Sequence, residues 1–317
     1  MTDIDLLDPF RRLLADACPS AVVRAIDAGG SGEALWREMQ GSGYLDALVA
    51  ESAGGAGLGL ADVGPLLCAL GAQAMPLPLG ETMIARALIA ATGGALPEGP
   101  IVLIPADSRW PILSGAQARW ALVEEDARLL LRAITNAVPM GDAGALAVRL
   151  ELASEGTDIG PASASGLRPL LAVLRACQIS GAAERLLEMT VAYANDRIQF
   201  GKPIGKLQAV QQQLAVMAEQ VIAARFAAQT GCAAGLPPSE QAAATAKQVA
   251  STAAAEIAAI AHAVHGAIGI SAEYDLQLLT RRLHAWRLAE GSESYWARRL
   301  GALRFAHNGP SVDFIRA

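Results

Sequence analysis

The stretch Tyr193-Ala-Asn-Asp-Arg-Ile-Gln-Phe-Gly-Lys-Pro203 ends a long helical pattern and opens a polar turn. Good helix formers fill the chain from about residue 167 to residue 195, which predicts one long helix there. Gly201 and Pro203 stop this helix, because glycine just past a helix end and proline shortly beyond it terminate the pattern. The stretch is therefore a helix end followed by a loop able to bind an anion.

Three side chains at this helix end suit a nucleotide cofactor. The guanidinium of Arg197 can grip a pyrophosphate with two hydrogen bonds, with the amide of Gln199 beside it. The ring of Phe200 can pack on a flat heterocycle. The alternative is that Arg197 only caps the last carbonyls of the helix, as basic residues at helix ends often do. We favour the cofactor interpretation.

The composition indicates a helical protein with a large core. The chain has 317 residues, of which 18% are charged and 4% aromatic, and this suits closely packed helices. Its net charge of −6 gives no electrostatic basis for binding a nucleic acid. The first residues are acidic, and no uninterrupted apolar stretch is long enough to span a bilayer. We therefore expect no signal peptide, no membrane span and a cytoplasmic location.

Neither the cysteines nor the histidines predict a metal site. The four cysteines have no metal-site or redox-pair spacing, so we expect small buried thiols at Cys18, Cys68, Cys177 and Cys232. His262 and His265 lie three apart on one predicted helix, but further ligands at suitable spacing are lacking. We interpret both as packed or hydrogen-bonded side chains. We also expect Arg281 and Arg282 at the surface or an interface, and Trp286 and Trp296 in the core.

The middle of the chain predicts a small antiparallel sheet between about residues 99 and 152. Short apolar runs alternate there with polar or glycine-bearing turns, and Glu124-Glu-Asp-Ala127 predicts a hairpin turn. Residues 157–166 predict a linker. Beyond it, apolar residues at steps of three and four predict four long helices in up-down order, separated by breaks near Gly201, residues 235–238 and residues 266–269.

Several of these segments resemble one protein family. The pattern Tyr-x-x-x-Arg-x-Gln-Phe-Gly-Lys-Pro with the following Gln208 is similar to the signature of the C-terminal domain of acyl-CoA dehydrogenases, flavoenzymes that oxidise acyl-CoA thioesters. Gly266-Ala-Ile-Gly269 resembles the family's Gly-Gly-x-Gly turn, and Ala289-Glu-Gly-Ser292 resembles its Tyr-Glu-Gly-Thr segment, at the usual spacing. The family's first helical domain is resembled by Leu35-Trp-Arg-Glu-Met39, Gly43-Tyr-Leu45 and Gly54-Gly-Ala-Gly-Leu-Gly59.

The resemblance implies an FAD site with contributions from several segments. In the family, the segment that corresponds to Arg197, Gln199, Phe200 and Gln208 crosses a dimer interface and holds the ADP half of a flavin bound mainly by the partner. The resemblance also implies that His265 touches the flavin and that backbone amides at Gly266 approach its diphosphate, with Ser292 as another contact. For Gly266 and Ser292, the alternatives are a plain glycine turn and a helix cap.

The resemblance makes Glu290 the candidate catalytic base. Oxidation of the thioester requires a carboxylate to remove the proton next to the carbonyl while the neighbouring carbon gives a hydride to the flavin. The family's other position for this base falls in residues 170–175, which contain no carboxylate. The chain departs from the family at Ala289, where a tyrosine is usual, and at Ala172, where an arginine commonly helps bind substrate. The alternative is that Glu290 is one more solvated acid.

The resemblance implies a mainly α fold with an N-terminal helical domain (1–98), a reduced β region and linker (99–166) and a C-terminal four-helix bundle (167–317). The family's Thr-Glu-Pro-x-x-Gly-Ser-Asp-like stretch, which contacts flavin and substrate, has no counterpart in the middle. The shortened middle resembles family members that pair with a related, unlike chain and act on bulky acyl-CoA substrates such as steroid side-chain thioesters.

We therefore expect an acyl-CoA dehydrogenase subunit that contains FAD, forms a homo- or hetero-oligomer and passes electrons to an electron-transferring flavoprotein. The second hypothesis is a non-catalytic partner that completes its mate's flavin site. A third is a purely structural helical protein with no cofactor.

Overall fold

The computed structural model describes residues 6–108, 111–140 and 146–316. Its first part is helical, because apolar residues recur there at helical spacing between glycine turns. Residues 1–5, on which the expectation of no signal peptide depends, lie outside the described residues. The N-terminal helices are α1 (Leu7–Ala17), α2 (Ser20–Asp27), α3 (Glu33–Gly41), α4 (Leu60–Ala72) and α5 (Leu79–Ala91).

A six-stranded sheet follows the N-terminal helices. Asp126 and Ala127 both have positive φ and connect β3 to β4 in a hairpin, at the turn predicted from the sequence. In spatial order the sheet runs β1, β3, β4, β5, β2, with β6 paired to β4. The strands are β1 (Ile101–Ile104), β2 (Ile112–Leu113), β3 (Trp120–Glu125), β4 (Arg128–Pro139), β5 (Ala147–Leu152) and β6 (Thr157–Pro161).

Two details of the predicted sheet are wrong. First, β1 lies parallel to β3, because the chain between them crosses to β2 at the far edge and returns in the same direction. Second, residues 157–161 are not linker but strand β6, which pairs with Arg128 to Leu131 of β4. Gly160 and Pro161 indicated a loop, but the long strand β4 offers a free edge that local sequence does not reveal.

The C-terminal half contains the predicted long helices. They are α6 (Arg168–Asp196), α7 (Gln208–Ala233), α8 (Glu240–His265) and α9 (Leu276–Leu288), followed by α10 (Glu293–Ala306) and α11 (Ser311–Arg316). A two-stranded hairpin, β7 (Ile198–Gln199) and β8 (Lys202–Pro203), joins α6 to α7. The mainly α architecture with a reduced sheet and a C-terminal bundle is thus confirmed.

Helix α8 is the most apolar element of this bundle. By length and composition alone, residues 240–270 could cross a membrane, contrary to the expectation that no such stretch exists. In the fold α8 packs against α6, α7, α9 and α10. Its face toward them consists largely of buried alanines. Packing within the bundle therefore accounts for its apolar character.

Helices α4 and α6 cross at very short distance because glycines lie at the crossing. A Cβ on Gly181 would lie 1.8 Å from the carbonyl oxygen of Cys68, and a Cβ on Gly71 would lie 2.1 Å from that of Gln178. Real Cβ atoms cannot approach so closely, so both positions need glycine. One hydrophobic core runs through the N-terminal helices, the sheet and the bundle. The division at 1–98, 99–166 and 167–317 stays a prediction.

Candidate active site

The turn between α9 and α10 holds Glu290 in an uncommon backbone conformation. Glu290 has a φ of +55° and Gly291 a φ of +111°. A residue other than glycine rarely adopts positive φ, and such residues cluster at functional sites. The side chain of Glu290 is 13% exposed, so its carboxylate lies at the edge of the interior. A Cβ on Gly291 would lie 2.4 Å from the Tyr295 ring, which explains the glycine.

Arg175, on α6, fixes the carboxylate of Glu290. Its Nε donates a hydrogen bond to Oε2 at 3.1 Å and its Nη2 donates to Oε1 at 3.3 Å. The same buried guanidinium donates to Glu81 Oε1 on α5 and, at 2.9 Å, to Gln178 Oε1. The planar guanidinium offers five donors in a fixed geometry. One buried cation therefore orients two carboxylates that lie on different elements.

Glu81 is the more deeply buried of these two carboxyl groups. Its Oε2 is buried and has no hydrogen-bond partner within the described residues. Burial raises the pKa of Glu81 to about 7, although the charge of Arg175 opposes this shift. A proton on Glu81 would occupy Oε2 and would leave Arg175 balanced by Glu290.

Lys247, on α8, fixes the backbone of the same turn. Its ammonium is fully buried and donates to the carbonyls of Arg287 at 2.8 Å and Gly291 at 3.0 Å, and to Ser251 Oγ at 2.9 Å. The carbonyl of Arg287 belongs to the last turn of α9, where carbonyls lack partners within the helix. Burial lowers the pKa of Lys247 to about 7, against the effect of the Glu290 charge.

These contacts make the turn a rigid platform for one carboxylate. Each carboxylate oxygen has more than one lone pair, so Glu290 keeps acceptor capacity after it bonds Arg175. A cavity of about 210 Å³ lies at the start of α10, which follows the turn; Glu290 itself does not line it, and its lining includes Tyr295, Trp296, Arg168, Pro105 and Glu124. A fixed, partly exposed carboxylate can accept a proton from a bound molecule.

The signature stretch forms a tight β hairpin at the other end of α6. Phe200 and Gly201, with φ of +54° and +76°, make the two-residue turn between β7 and β8. Phe200 is 88% exposed, and Gln208, the first residue of α7, is exposed as well. The exposed Arg197 side chain has no hydrogen bond or ion pair in the part of the chain that the structure describes. The alternative of Arg197 as a helix cap is therefore not supported.

Tyr193 joins this helix end to the glycine turn after α8. Its hydroxyl donates to the carbonyl of His265 at 3.3 Å, and its ring stacks on the imidazole with centroids 4.4 Å apart. Gly266 is exposed, has a φ of +63°, and leaves open space where a Cβ would be. The His265 imidazole is buried between Tyr193 and Tyr274. A direct contact between this imidazole and a cofactor requires one of the two rings to move.

The predicted cofactor residues thus fall into two regions. Arg175 and Tyr193 are 18 residues apart on α6, which corresponds to about 27 Å along the helix axis. Ser292 follows Glu290 at the Arg175 end, whereas the other predicted cofactor residues lie at the Tyr193 end: Arg197, Gln199, Phe200, Gln208, His265 and Gly266. The hydroxyl of Ser292 makes no capping hydrogen bond to α10, so its interpretation as a cap is not supported.

Sequence reasoning missed three charged residues of this site. Arg175 is 115 residues from Glu290 and 94 from Glu81, so no local pattern connects them. It follows Ala172 by about one helical turn, so it projects from a similar face of α6. The available signal was a charge inside an apolar helix pattern. Arg175 follows five consecutive apolar residues, and Lys247 lies among alanines.

The remaining predictions have mixed outcomes. Trp286 and Trp296 are buried, as predicted. His262 is hydrogen-bonded, with Nε2 3.0 Å from Thr280 Oγ1. The prediction for Arg282 is wrong, because its side chain is buried and pairs with Asp27 through two hydrogen bonds of 2.8 and 2.9 Å. This pair fastens α9 to α2, and only the packed structure brings the two helices together.

Comparison with known proteins agrees with this architecture. Residues 171–302 match the family model described as acyl-CoA dehydrogenase, C-terminal domain. The chain is 34% identical over 304 residues to acyl-CoA dehydrogenase IpdE2 of Mycobacterium tuberculosis (strain ATCC 25618 / H37Rv), covering 88% of this chain and 90% of that protein. At this identity and coverage a relative shares the family and not the fold alone.

Solved structures share the fold over nearly the whole chain. A variant of the Tcur3481-Tcur3483 steroid ACAD superposes with a TM-score of 0.83 at 24% identity, covering 95% of this chain and 97% of that one. The ChsE4-ChsE5 complex from Mycobacterium tuberculosis gives a TM-score of 0.82 at 22% identity, with coverage of 96% and 97%. With the signature hairpin, the glycine turn and the Glu290 turn in place, this chain belongs to the acyl-CoA dehydrogenase family.

Proposed function

We propose that the chain is a subunit of an FAD-dependent acyl-CoA dehydrogenase in which Glu290 removes the α-proton of an acyl-CoA thioester. The observation that carries this proposal is the Glu290 turn itself. Its carboxylate sits on a positive-φ residue, is oriented by buried Arg175 and is partly exposed. A solvated surface acid would have none of these constraints.

In this proposal one side chain accepts the proton and the neighbouring side chains hold that acceptor in position. Glu290 accepts the proton from the carbon next to the thioester carbonyl, and Arg175 keeps the carboxylate in one orientation before and after the transfer. Lys247 fixes the backbone from which Glu290 projects. Glu81 accepts a hydrogen bond from the same guanidinium and so helps to hold Arg175 in place.

The described residues fit FAD at the far end of α6. The exposed ring of Phe200 and the unpaired guanidinium of Arg197 would hold the flat and the anionic parts of the ADP half, together with Gln199 and Gln208. When bound, the flavin would supply the acceptor for the hydride from the β-carbon. Because the hairpin follows the end of α6, about 30 Å along the helix axis from Arg175, we propose that it serves a cofactor held mainly by another subunit.

We propose that the other subunit is a related, unlike chain. Two of the similar structures are named as pairs, Tcur3481-Tcur3483 and ChsE4-ChsE5, and the first is described as a steroid ACAD. A bulky acyl-CoA such as a steroid side-chain thioester is therefore the substrate class we propose, and an electron-transferring flavoprotein is the proposed acceptor. A cytoplasmic location also remains a proposal.

The test is co-expression with a neighbouring homologue, followed by flavin absorbance and an acyl-CoA oxidation assay on the purified complex. We expect a yellow complex whose turnover falls by about two to four orders of magnitude in Glu290→Gln. Glu256→Gln, an exposed carboxylate on α8, is the matched control and should leave turnover unchanged. Full activity in Glu290→Gln would refute the role of this base.

The same preparation distinguishes the other hypotheses. Arg197→Ala should lower the flavin content of the complex, because the hairpin would lose its cation. If flavin is lost in Arg197→Ala while Glu290→Gln keeps its turnover, the chain is a non-catalytic partner. A complex that is colourless under all conditions would indicate a structural protein.

A further inference from the structure

Three of the four cysteines, which are far apart in sequence, meet where three helices pack. Cys68 lies on α4, Cys177 on α6 and Cys232 on α7. The sulfur atoms of Cys177 and Cys232 are 3.4 Å apart, and Cys68 lines the same cavity as these two thiols. The fourth thiol, Cys18, is buried elsewhere, near Asp27 and Arg282. The fold therefore creates a thiol cluster that the sequence spacing does not predict.

The hydrogen bond between the paired thiols makes them unequal. It raises the pKa of Cys177, to which Cys68 and burial also contribute, and it lowers the pKa of Cys232. Cys232 is therefore the sulfur of the pair that more readily becomes a thiolate. The thiolate is the form of cysteine that reacts with oxidants. By contrast, burial raises the pKa of Cys18 to about 12.

Small oxidants can reach this cluster. The three thiols line a cavity of about 440 Å³, and the wall of this cavity includes the exposed residues Arg225 and Gln229. Next to the pair lies Gly64, where a Cβ would come within 2.9 Å of Cys232 Sγ. The sulfur of Cys232 therefore packs closely against Gly64 on one side and faces the cavity on the other.

The distance between the sulfurs is short enough for a covalent link. A disulfide bond is about 2.05 Å long, so the two sulfurs need to approach by roughly 1.4 Å. Rotation of the two side chains together with a small helix shift can cover such a distance. A metal site is a weaker interpretation, because no group of three or more His, Cys, Asp or Glu residues in 6–108, 111–140 and 146–316 is arranged to hold a metal ion.

We propose that Cys177 and Cys232 form an oxidation site, in which hydrogen peroxide converts the two neighbouring thiols into a reversible disulfide between α6 and α7. The inference does not depend on the proposed dehydrogenase activity. It assigns Cys232, which is slightly exposed whereas Cys177 is fully buried, as the sulfur that first attacks the oxidant, and Cys177 as the thiol that closes the bond.

The chemistry balances in two steps. The Cys232 thiolate attacks one oxygen of hydrogen peroxide, the O–O bond breaks, and a sulfenic acid forms while hydroxide leaves. Cys177 then attacks the oxidised sulfur, the S–S bond forms and the S–O bond breaks. The proton from the Cys177 thiol and the proton first lost by Cys232 convert the two departing hydroxides to water. One peroxide is thus reduced and two thiols are oxidised.

The site lies close to the Glu290 cluster. Cys177 follows Arg175 by two residues on α6, and Arg175 holds both Glu290 and Glu81. Any displacement of α6 that accompanies the disulfide therefore reaches the guanidinium. We expect peroxide to lower turnover in a complex that has dehydrogenase activity and a reductant to restore it.

The test is peroxide titration of the full-length protein in its assembled form, with mass spectrometry of non-reduced peptides. We expect a cross-linked pair of peptides that contain Cys177 and Cys232, lighter by two hydrogens and separated by dithiothreitol. Alkylation of the partly oxidised protein should show Cys232 consumed at least about tenfold faster than Cys18. This mapping uses the unmodified sequence, so it does not depend on whether a variant folds.

Variants provide the second arm of the test. Cys177→Ser and Cys232→Ser should each abolish the cross-link, whereas the matched control Cys18→Ser should retain it. An intact protein that accumulates only sulfinic acid, a cross-link that survives Cys177→Ser, or equal oxidation of Cys18 and Cys232 would each overturn the proposal. A cross-link that survives Cys177→Ser, or equal oxidation of Cys18 and Cys232, would mean that the short distance between the two sulfurs does not direct the oxidation.

Discussion

Four buried or nearly buried ionisable side chains surround the turn of Glu290, and their formal charges cancel. Arg175 and Lys247 are cationic, whereas Glu81 and Glu290 are anionic. Burial of a charge is costly unless a partner and hydrogen bonds compensate for it. Here Arg175 bonds both carboxylates, and Lys247 bonds two carbonyls and a hydroxyl. Removal of one member therefore affects the others.

Lys247→Met tests whether this lysine positions Glu290. The change removes the donors to the carbonyls of Arg287 and Gly291, so the turn should lose its fixed conformation. In an active complex we expect kcat to fall by about tenfold or more with little change in KM. Ser251→Ala removes one acceptor of Lys247 and should have a smaller effect. If Lys247→Met and Ser251→Ala lowered kcat and thermal stability to the same extent, the role of Lys247 would be structural alone.

Glu81→Gln tests the raised pKa of this carboxyl group. The pKa of Glu81 is about 7 in the folded protein and 4.5 ordinarily. Between pH 4.5 and 7 the folded chain therefore keeps a proton that the unfolded chain releases. The stability contributed by this proton is fully present below pH 4.5 and is lost as the pH rises through 7, by about 3 kcal/mol. Denaturant unfolding of both proteins from pH 4.5 to 8 measures it.

The variant cannot titrate at this position, so it should gain stability relative to the natural sequence as the pH rises from 4.5 to 7. Parallel curves of unfolding free energy against pH for the two proteins would contradict the assignment.

At the residue scale, the type of Glu290 and its position in a family motif were visible in the sequence. Its partners were not.

At the scale of elements, the close crossing of α4 and α6 depends on absent side chains. Gly181→Ala should destabilise the protein by about 1–3 kcal/mol or more, since its Cβ would overlap the carbonyl oxygen of Cys68. Gly301→Ala is the matched control on α10, where a Cβ meets nothing within 4 Å. There the better helix propensity of alanine should stabilise by up to about 1 kcal/mol.

Chemical denaturation of both glycine variants provides the comparison. Similar changes in stability at Gly181 and Gly301 would contradict the crossing geometry.

The existence and approximate bounds of the long helices followed from periodicity, glycine and proline. The direction of β1 and the pairing of β6 did not, because strand pairing depends on which edge remains free after the rest of the sheet has formed.

At the scale of the whole molecule, the two ends of α6 lie in different surroundings, one buried and one exposed. The Arg175 end holds the interior charges, and the Tyr193 end carries the exposed hairpin with Arg197 and Phe200. Several large apolar side chains remain exposed in the isolated chain, among them Ile198, Phe200, Ile222, Phe226, Ile270 and Phe305. Exposed apolar groups of this size are typical of surfaces that associate with another chain.

Phe226→Asp tests this association. The ring is 58% exposed on α7, and a carboxylate there should oppose burial against another chain. We expect the molecular mass in solution, measured by sedimentation or light scattering, to shift toward the single chain. Gln212→Asp places the same charge on an exposed residue of the same helix and should keep the assembly intact. An unchanged mass for Phe226→Asp would exclude this face from the interface.

The sequence by itself determined the helical class, the hairpin motif at the end of α6 and the identity of Glu290 as the residue to examine. These features are local, since helix period, turn residues and motif spacing lie within short windows. Only the tertiary structure decided that Arg175 meets Glu81 and Glu290, that Lys247 caps the turn and that Cys177 meets Cys232. Those contacts join residues 40 to 115 positions apart, and packing of whole helices sets them.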